Sequence, residues 1–348
     1  MTSLQYLSVQ YLRGVAALAV VACHLELQLN RMDFDGAWPR ALAGGVDLFF
    51  VISGFIMWTT TTDKPISAGE FLRRRLIRVV PLYWAVTTIL LLVLLIAPSL
   101  LQSARFDALH VIASYLFIPY PSPADGLINP LLVPGWTLNY EMFFYVLFAL
   151  CLFLQGRGRL VAISVVIGGL VLAGAIARPG NSMLLFWTRP ILLEFLFGIA
   201  VAIISRKFAA PKWVAWMLIV GGAGLMAVYL LDNPGPNRFV LLGIPAAFVL
   251  LGAVWLDRAG AVKSHAGFKL LGDASYSIYL SHGIVLSAAS QIWRRVPIPE
   301  GPLSWTSFCA LALLASVLVG VCLYYGVELR LQRLLRPSSS VQTPKLAG

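Results

Sequence analysis

Charge is scarce in this chain. Only 12% of its 348 residues are Asp, Glu, Lys or Arg, where a soluble globular domain carries about 25%. That deficit excludes a water-facing surface for most of the molecule. Cysteine is equally sparse, with four residues at 23, 151, 309 and 322. Each sits inside an apolar segment, and their spacing excludes a zinc site or a disulfide framework, so they read as small packing residues. No soluble domain, internal repeat or long linker is visible. The first apolar segment lacks the basic n-region of a cleavable signal peptide and is expected to be a retained helix.

What the chain has in abundance is apolar length. Hydrophobic residues make up 59% and the mean hydropathy is +0.83. Segments near 10–29, 44–61, 79–97, 136–154, 159–177, 186–204, 213–231, 238–256, 274–293 and 304–326 are long enough to cross a hydrocarbon core. The sequence therefore predicts an all-α, polytopic membrane protein of about ten transmembrane helices. The apolar stretch at 109–118 is too short to span and reads as interfacial or re-entrant. It lies in the longest loop, 98–135, whose prolines and glycines forbid a continuous helix. Residues 1–336 read as one transmembrane domain, and 337–348 as a disordered cytoplasmic tail.

The net charge of +11 would suggest a polyanion partner in a soluble protein. Here the basic residues sort by loop. One alternating set of loops, with the tail, holds 17 Lys and Arg, and the other set holds 7. The positive-inside rule then puts both termini in the cytoplasm and requires an even number of spans. Membrane orientation explains the excess, which leaves no case for a nucleic-acid partner.

Ionisable residues inside spans are few, and each costs at least ~2.5–3.5 kcal/mol at mid-bilayer. Arg13 and His24 are eleven residues apart, so they share one helix face, separated by roughly 16 Å along the axis. Glu141, five residues into the fourth expected span, is predicted at a depth similar to His24, and Asp47 at comparable height. A His beside a carboxylate is a general-base arrangement. The bland alternative is that these groups only hold helices together; a transporter's proton relay is the sharper rival. Glu26 faces away from His24, and Cys23 lies ~100° around the helix. Arg189 and Glu194, five apart, are poorly spaced for an i,i+4 pair and are expected to find partners on other helices. His282 reads either as a structural hydrogen-bond partner or as a channel residue, and His110 and His265 as loop residues. The run Arg73-Arg74-Arg75-Leu76-Ile77-Arg78 is either positive-inside anchoring or a phosphate cluster, since guanidinium groups bind phosphate bidentately. An acyl-CoA carries several phosphates and an arm able to extend up a helix bundle.

Five ordered motifs carry a family resemblance. They are Leu12-Arg13-Gly14 through Cys23-His24, Gly45-Val46-Asp47-Leu48-Phe49-Phe50-Val51-Ile52-Ser53-Gly54-Phe55, the Arg75–Arg78 run ending in Pro81-Leu82-Tyr83-Trp84, Trp136-Thr137-Leu138-Asn139-Tyr140-Glu141, and Ser275-Tyr276-Ser277-Ile278-Tyr279-Leu280-Ser281-His282. Together, over about residues 4–330, they resemble the acyltransferase 3 family, and are most similar to its exopolysaccharide-production O-acetyltransferases of Gram-negative bacteria. The resemblance implies a ten-helix enzyme of the bacterial inner membrane. Such an enzyme takes an acyl group, usually acetyl, from acyl-CoA and gives it to a hydroxyl of a surface or exopolysaccharide sugar or its lipid-linked precursor, without a metal. It implies His24 as the essential catalytic residue, Arg13 and Glu141 as its functional partners, and Arg75 and Arg78 near the donor. Arg13 and Arg74 are further expected to bind the donor, and Asp47, Trp136 and His282 to contact substrate. No esterase-like domain follows the tenth span, which leaves open whether the chain acts alone or hands the group to a polysaccharide-assembly protein. The rival of a different class is a non-enzymatic exporter or flippase of glycan intermediates.

Overall fold

The computed structural model describes residues 6–62, 66–101, 104–228, 237–297 and 301–335. The expected tail, 337–348, lies outside the described residues. The described chain is helical: α1 Leu7–Leu29, α2 Gly44–Thr62, α3 Ala68–Ile96, α4 Ala108–Tyr115, α5 Trp136–Leu150, α6 Gly156–Ala177, α7 Ser182–Trp187, α8 Leu193–Lys207, α9 Lys212–Val228, α10 Ile244–Arg258, α11 Ala266–Asp273, α12 Ser275–Trp293, α13 Pro302–Leu323 and α14 Leu329–Leu335. Only an isolated bridge, Pro121 with Ile128, pairs extended backbone among the described residues.

Seven helical stretches are long and apolar enough to cross a membrane, so the protein is a polytopic membrane protein. The other three expected spans are also helices, but α5 has 15 residues and α9 17, and α12 dilutes its 19 residues with five serines, a histidine and a glutamine. The sixth expected span is not one continuous helix. Pro190 pushes Arg189 to extended backbone (φ −67°, ψ 139°) and separates α7 from α8, because the residue before proline is sterically barred from the α region. The third helix starts eleven residues before its expected span. Ser67 caps it, its side chain accepting from the Glu70 N–H at 3.2 Å, and the arginine run is therefore helical and shares a frame with the span above it.

Helix α1 is the hub. It packs against α2 and α10 on one side and against α11, α12 and α13 on the other. Around it, α2 lies on α8, α8 and α9 flank α10, and α3 closes the bundle against α5, α12 and α14. Helix α6 buries little beyond Ile163 and Ile167 and turns Val161, Val165, Leu172 and Ile176 outward, an apolar exterior suited to lipid. Small residues allow the closest crossings. A Cβ on Gly198 of α8 would stand 2.0 Å from the Val51 carbonyl oxygen of α2, and one on Gly54 of α2 would stand 2.1 Å from the Phe195 carbonyl oxygen of α8.

Gly198→Val should force α2 from α8 and lower stability by about 1–3 kcal/mol, read as a lower thermal unfolding midpoint in detergent. Gly168→Val on α6, where nothing lies within 4 Å, should leave that midpoint unchanged.

Candidate active site

Three cavities follow the axis of α1. The first, about 820 Å³, lies between the start of α1, the first turns of α3 and the end of α13–α14; its walls include Arg13, Arg73, Arg74, Arg75 and Arg78 with Glu70, Asp273 and Glu328. Glu70 holds Arg73 and Arg74 through contacts of 2.9 and 2.6 Å, so one carboxylate is shared between two guanidinium groups. Glu328, buried where α13 passes through a π-helical turn, accepts from Ser277 Oγ at 2.5 Å and Gln332 Nε2 at 3.0 Å. Arg13, Arg75 and Arg78 form no ion pair among the described residues. Arg13 donates only to Gln10 Oε1 (3.2 Å), and Arg75 only to Thr60 Oγ1 (3.4 Å) while lying over the Phe71 ring.

The same three arginines line the second cavity, of about 90 Å³, at the centre of the bundle. Glu141 faces it from α5. Its Oε1 accepts hydrogen bonds from Ser53 Oγ (3.2 Å) and from the Tyr145 hydroxyl. At the far wall stand Thr137 and Tyr279. Their hydroxyl oxygens are 2.8 Å apart and lie 3.1 and 3.0 Å from the Pro134 carbonyl oxygen, so their two hydrogens serve two of these three contacts at a time. Phe49 packs edge-on against the Tyr279 ring.

Pro134, whose carbonyl those hydroxyls approach, lines a third cavity, about 440 Å³, together with His24, His282 and apolar residues that include Leu90 and Val93 of α3, Leu286 of α12 and Leu131 and Leu132. Arg31 and Arg295 also line it, and among the described residues no carboxylate does. The His24 ring is exposed to this space. Its Nδ1 lies 2.8 Å from the Val20 carbonyl oxygen; a carbonyl only accepts, so in the neutral ring the hydrogen is on Nδ1 and Nε2 keeps its lone pair. His24 and His282 rings are 4.9 Å apart.

The structure thus brings together Arg13, Arg75, Arg78 and Glu141, and separately His24 and His282. Arg74 reaches only the first cavity, tied to Glu70. Glu141, expected beside His24, lines a different cavity, and no hydrogen bond or ion pair joins them. Asp47, expected at the substrate, is fully buried in the first turn of α2 and clasped by Arg238 at 3.0 and 2.6 Å, with Glu194 of α8 beside it. Trp136 lines none of the three cavities and packs edge-on against Tyr140. His110, expected in a loop, is buried in α4 and bonds the Asn129 carbonyl at 2.7 Å. Sequence reasoning assigns no role to Ser53, Tyr145, Thr137 or Tyr279. Ser275, Tyr276, Tyr279 and His282 recur at helical spacing on α12, and that polar stripe inside a span is the signal that could have found Tyr279. Among the described residues no group of three or more His, Cys, Asp or Glu could share a metal ion.

A family described as an acyltransferase domain matches residues 6–324. The chain is 35% identical over 312 residues to the exopolysaccharide production protein ExoZ of Rhizobium meliloti, covering 88% of this chain and 94% of that protein. It is 28% identical to the acyltransferase MdmB of Streptomyces mycarofaciens over 96% of this chain and 94% of that one. It is 26% identical to the O-acetyltransferase OatA of Staphylococcus aureus over 83% of this chain but 52% of that one. No solved structure matches.

Asp47→Ala should strand the Arg238 guanidinium and destabilise the fold by on the order of 3 kcal/mol, measured as loss of the thermal midpoint. Asp47→Ala with Arg238→Ala should cost less than the sum of the two single changes.

Proposed function

The chain belongs to the acyltransferase 3 family of membrane enzymes, and on that premise we propose that it transfers an acetyl group from acetyl-CoA to a hydroxyl of an exopolysaccharide sugar or its lipid-linked precursor. The observation that carries this reading is the disposition of α1. One helix holds an unpaired arginine at one cavity and a histidine at another, ~16 Å further along its axis, with a cavity of about 90 Å³ between them. A small acyl group suits a joint of that size.

In this reading the arginine-lined cavity opens to the cytoplasm of a bacterial inner-membrane protein with ten spans and both termini inside. The 17-to-7 sorting of basic residues supports that orientation. Arg75 and Arg78, with Arg13, take the CoA phosphates, because their guanidinium groups alone in that cavity's arginine set have no carboxylate partner. The thioester end extends into the central cavity. Glu141 acts on the donor side, where it fixes Ser53 and Tyr145 opposite the three arginines and offsets part of their charge.

The acceptor sugar occupies the histidine-lined cavity, whose apolar wall, with Arg31 and Arg295 in no ion pair among the described residues, suits an anionic, lipid-linked saccharide. His24 Nε2 removes the proton of the attacking hydroxyl. For the two substrates to meet, the Thr137–Tyr279–Pro134 bonds must open. The acyl group then leaves the donor on one face of the membrane and is received on the other.

In a deletion strain carrying His24→Gln, NMR of the exopolysaccharide should lack the O-acetyl signals restored by the natural chain, with membrane abundance unchanged. Normal acetylation would refute the role of His24. Arg75→Gln with Arg78→Gln should raise KM for acetyl-CoA at least tenfold, since each charge-assisted hydrogen bond contributes about 1.5–3 kcal/mol; an unchanged KM would remove the donor from this cavity.

A further inference from the structure

One buried ring nitrogen of the histidine pair is engaged by nothing. His282 Nδ1 lies 2.5 Å from the Tyr279 carbonyl oxygen, so in the neutral ring it carries the hydrogen and Nε2 carries a lone pair. That Nε2 is buried without a partner, on a residue only 1% exposed. Buried polar atoms are ordinarily satisfied, and an exception at a cavity wall calls for a reason. His24 repeats the arrangement, with Nδ1 committed to its own helix and Nε2 free. The two rings meet at 4.9 Å between centroids, inclined by 58°. Two neutral imidazoles in contact, each with its Nε2 lone pair uncommitted, can hold one proton between them.

Among the described residues the cavity offers His24 no carboxylate to share a proton with. Arg31 and Arg295 are the other charged groups lining it among those residues, and both disfavour a cation there. Leu90 and Val93 of α3, with Leu100, Leu101, Ala104 and residues 131–134, contribute apolar side chains, and Gln28, Ser287 and Gln291 are the uncharged polar ones. Tyr279 commits its hydroxyl to Pro134 and Thr137, and Glu141 lines the central cavity. The free acceptor in contact with the His24 ring is His282.

We infer that His282 is a positioning residue for acyl transfer, holding with His24 the proton taken from the acceptor. This rests on His24 being the base. As the acceptor oxygen forms its bond to the acyl carbon, its O–H bond breaks and the proton goes to His24 Nε2. The carbon–sulfur bond breaks, and its electron pair leaves on the CoA sulfur. The Nε2–H of His24 then donates to Nε2 of His282, and the shared proton finally passes to the thiolate, giving the CoA thiol and two neutral rings. No further reactant is needed.

Sharing stabilises the protonated pair. Activity needs the unprotonated base, so losing His282 should move the acid limb of the rate profile to lower pH. The full-length protein in nanodiscs is assayed for thiol release from acetyl-CoA with de-O-acetylated exopolysaccharide as acceptor. His282→Phe, which keeps a ring but no nitrogen, should lower kcat about 10²-fold, leave KM for acetyl-CoA unchanged and shift the acid limb downward. His282→Gln, whose amide can accept, should recover about tenfold of that loss. A kcat and acid limb like those of the natural chain in His282→Phe would reduce His282 to packing. If the Phe variant does not reach the membrane, the same result in His282→Gln overturns the proposal. His24→Gln in the same assay separates the two claims, because an inactive His24 variant beside unaffected His282 variants sinks only the role of His282, whereas an active one sinks the base itself.

Discussion

Three guanidinium groups that form no ion pair among the described residues, those of Arg13, Arg75 and Arg78, are the constraint around which the molecule is organised. Their charge faces cavities that also hold Glu141, Glu328, Glu70 and Asp273; these carboxylates offset part of it, and an anionic ligand would answer the rest. Glu70 is absorbed by Arg73 and Arg74, Glu328 by Ser277 and Gln332, and Glu141 by Ser53 and Tyr145. Helix α3 continues through Pro81, three residues beyond Arg78, so the arginine run and the span above it share one helix. The position of the donor charge is thereby fixed relative to the bundle core.

Helix α1 carries the second half of the arrangement. Its neighbours on both sides pack through glycine, with Gly14 against Leu271 of α11 and Gly45 of α2 against the Ala16 carbonyl. Such close approach holds Arg13 and His24 at opposite ends of one rigid rod. The separation between them is bridged by two hydroxyls, those of Thr137 and Tyr279, that converge on a single carbonyl. With one hydrogen each, the two hydroxyls supply two hydrogen bonds among these three contacts, each contributing a net of about 0.5–1.5 kcal/mol.

Hydropathy and charge sorting make the membrane class legible, and the Arg13–His24 spacing on α1 follows from helical geometry alone. Which cavity a side chain lines is the point where sequence reasoning fails. Counting from the start of its span puts Glu141 level with His24, but matched height on two helices does not bring two side chains into one cavity, and Glu141 turns to Ser53 and Tyr145 while His24 lines the space beside His282. Asp47 reads as a substrate contact as long as Arg238 looks like a loop arginine; the π-helical turn at Phe239–Gly243 begins one residue after it and carries the chain into α10 against α2. The break at Pro190 is written in the sequence, since residue 189 precedes a proline, yet the apolar run masks it. Contacts between helices distant in sequence, such as Tyr279 with Thr137 or His282 with His24, leave no local periodic trace.

The central claim is that acyl donor and acceptor sit on opposite sides of the wall at Thr137 and Tyr279 and that the acyl group crosses it. The most direct measurement uses proteoliposomes holding the protein in a single orientation, with radiolabelled acetyl-CoA confined to the face bearing Arg75 and Arg78 and de-O-acetylated saccharide confined to the other. Label on the saccharide across the bilayer is the result expected. Label transferred only when donor and acceptor share one face would contradict it.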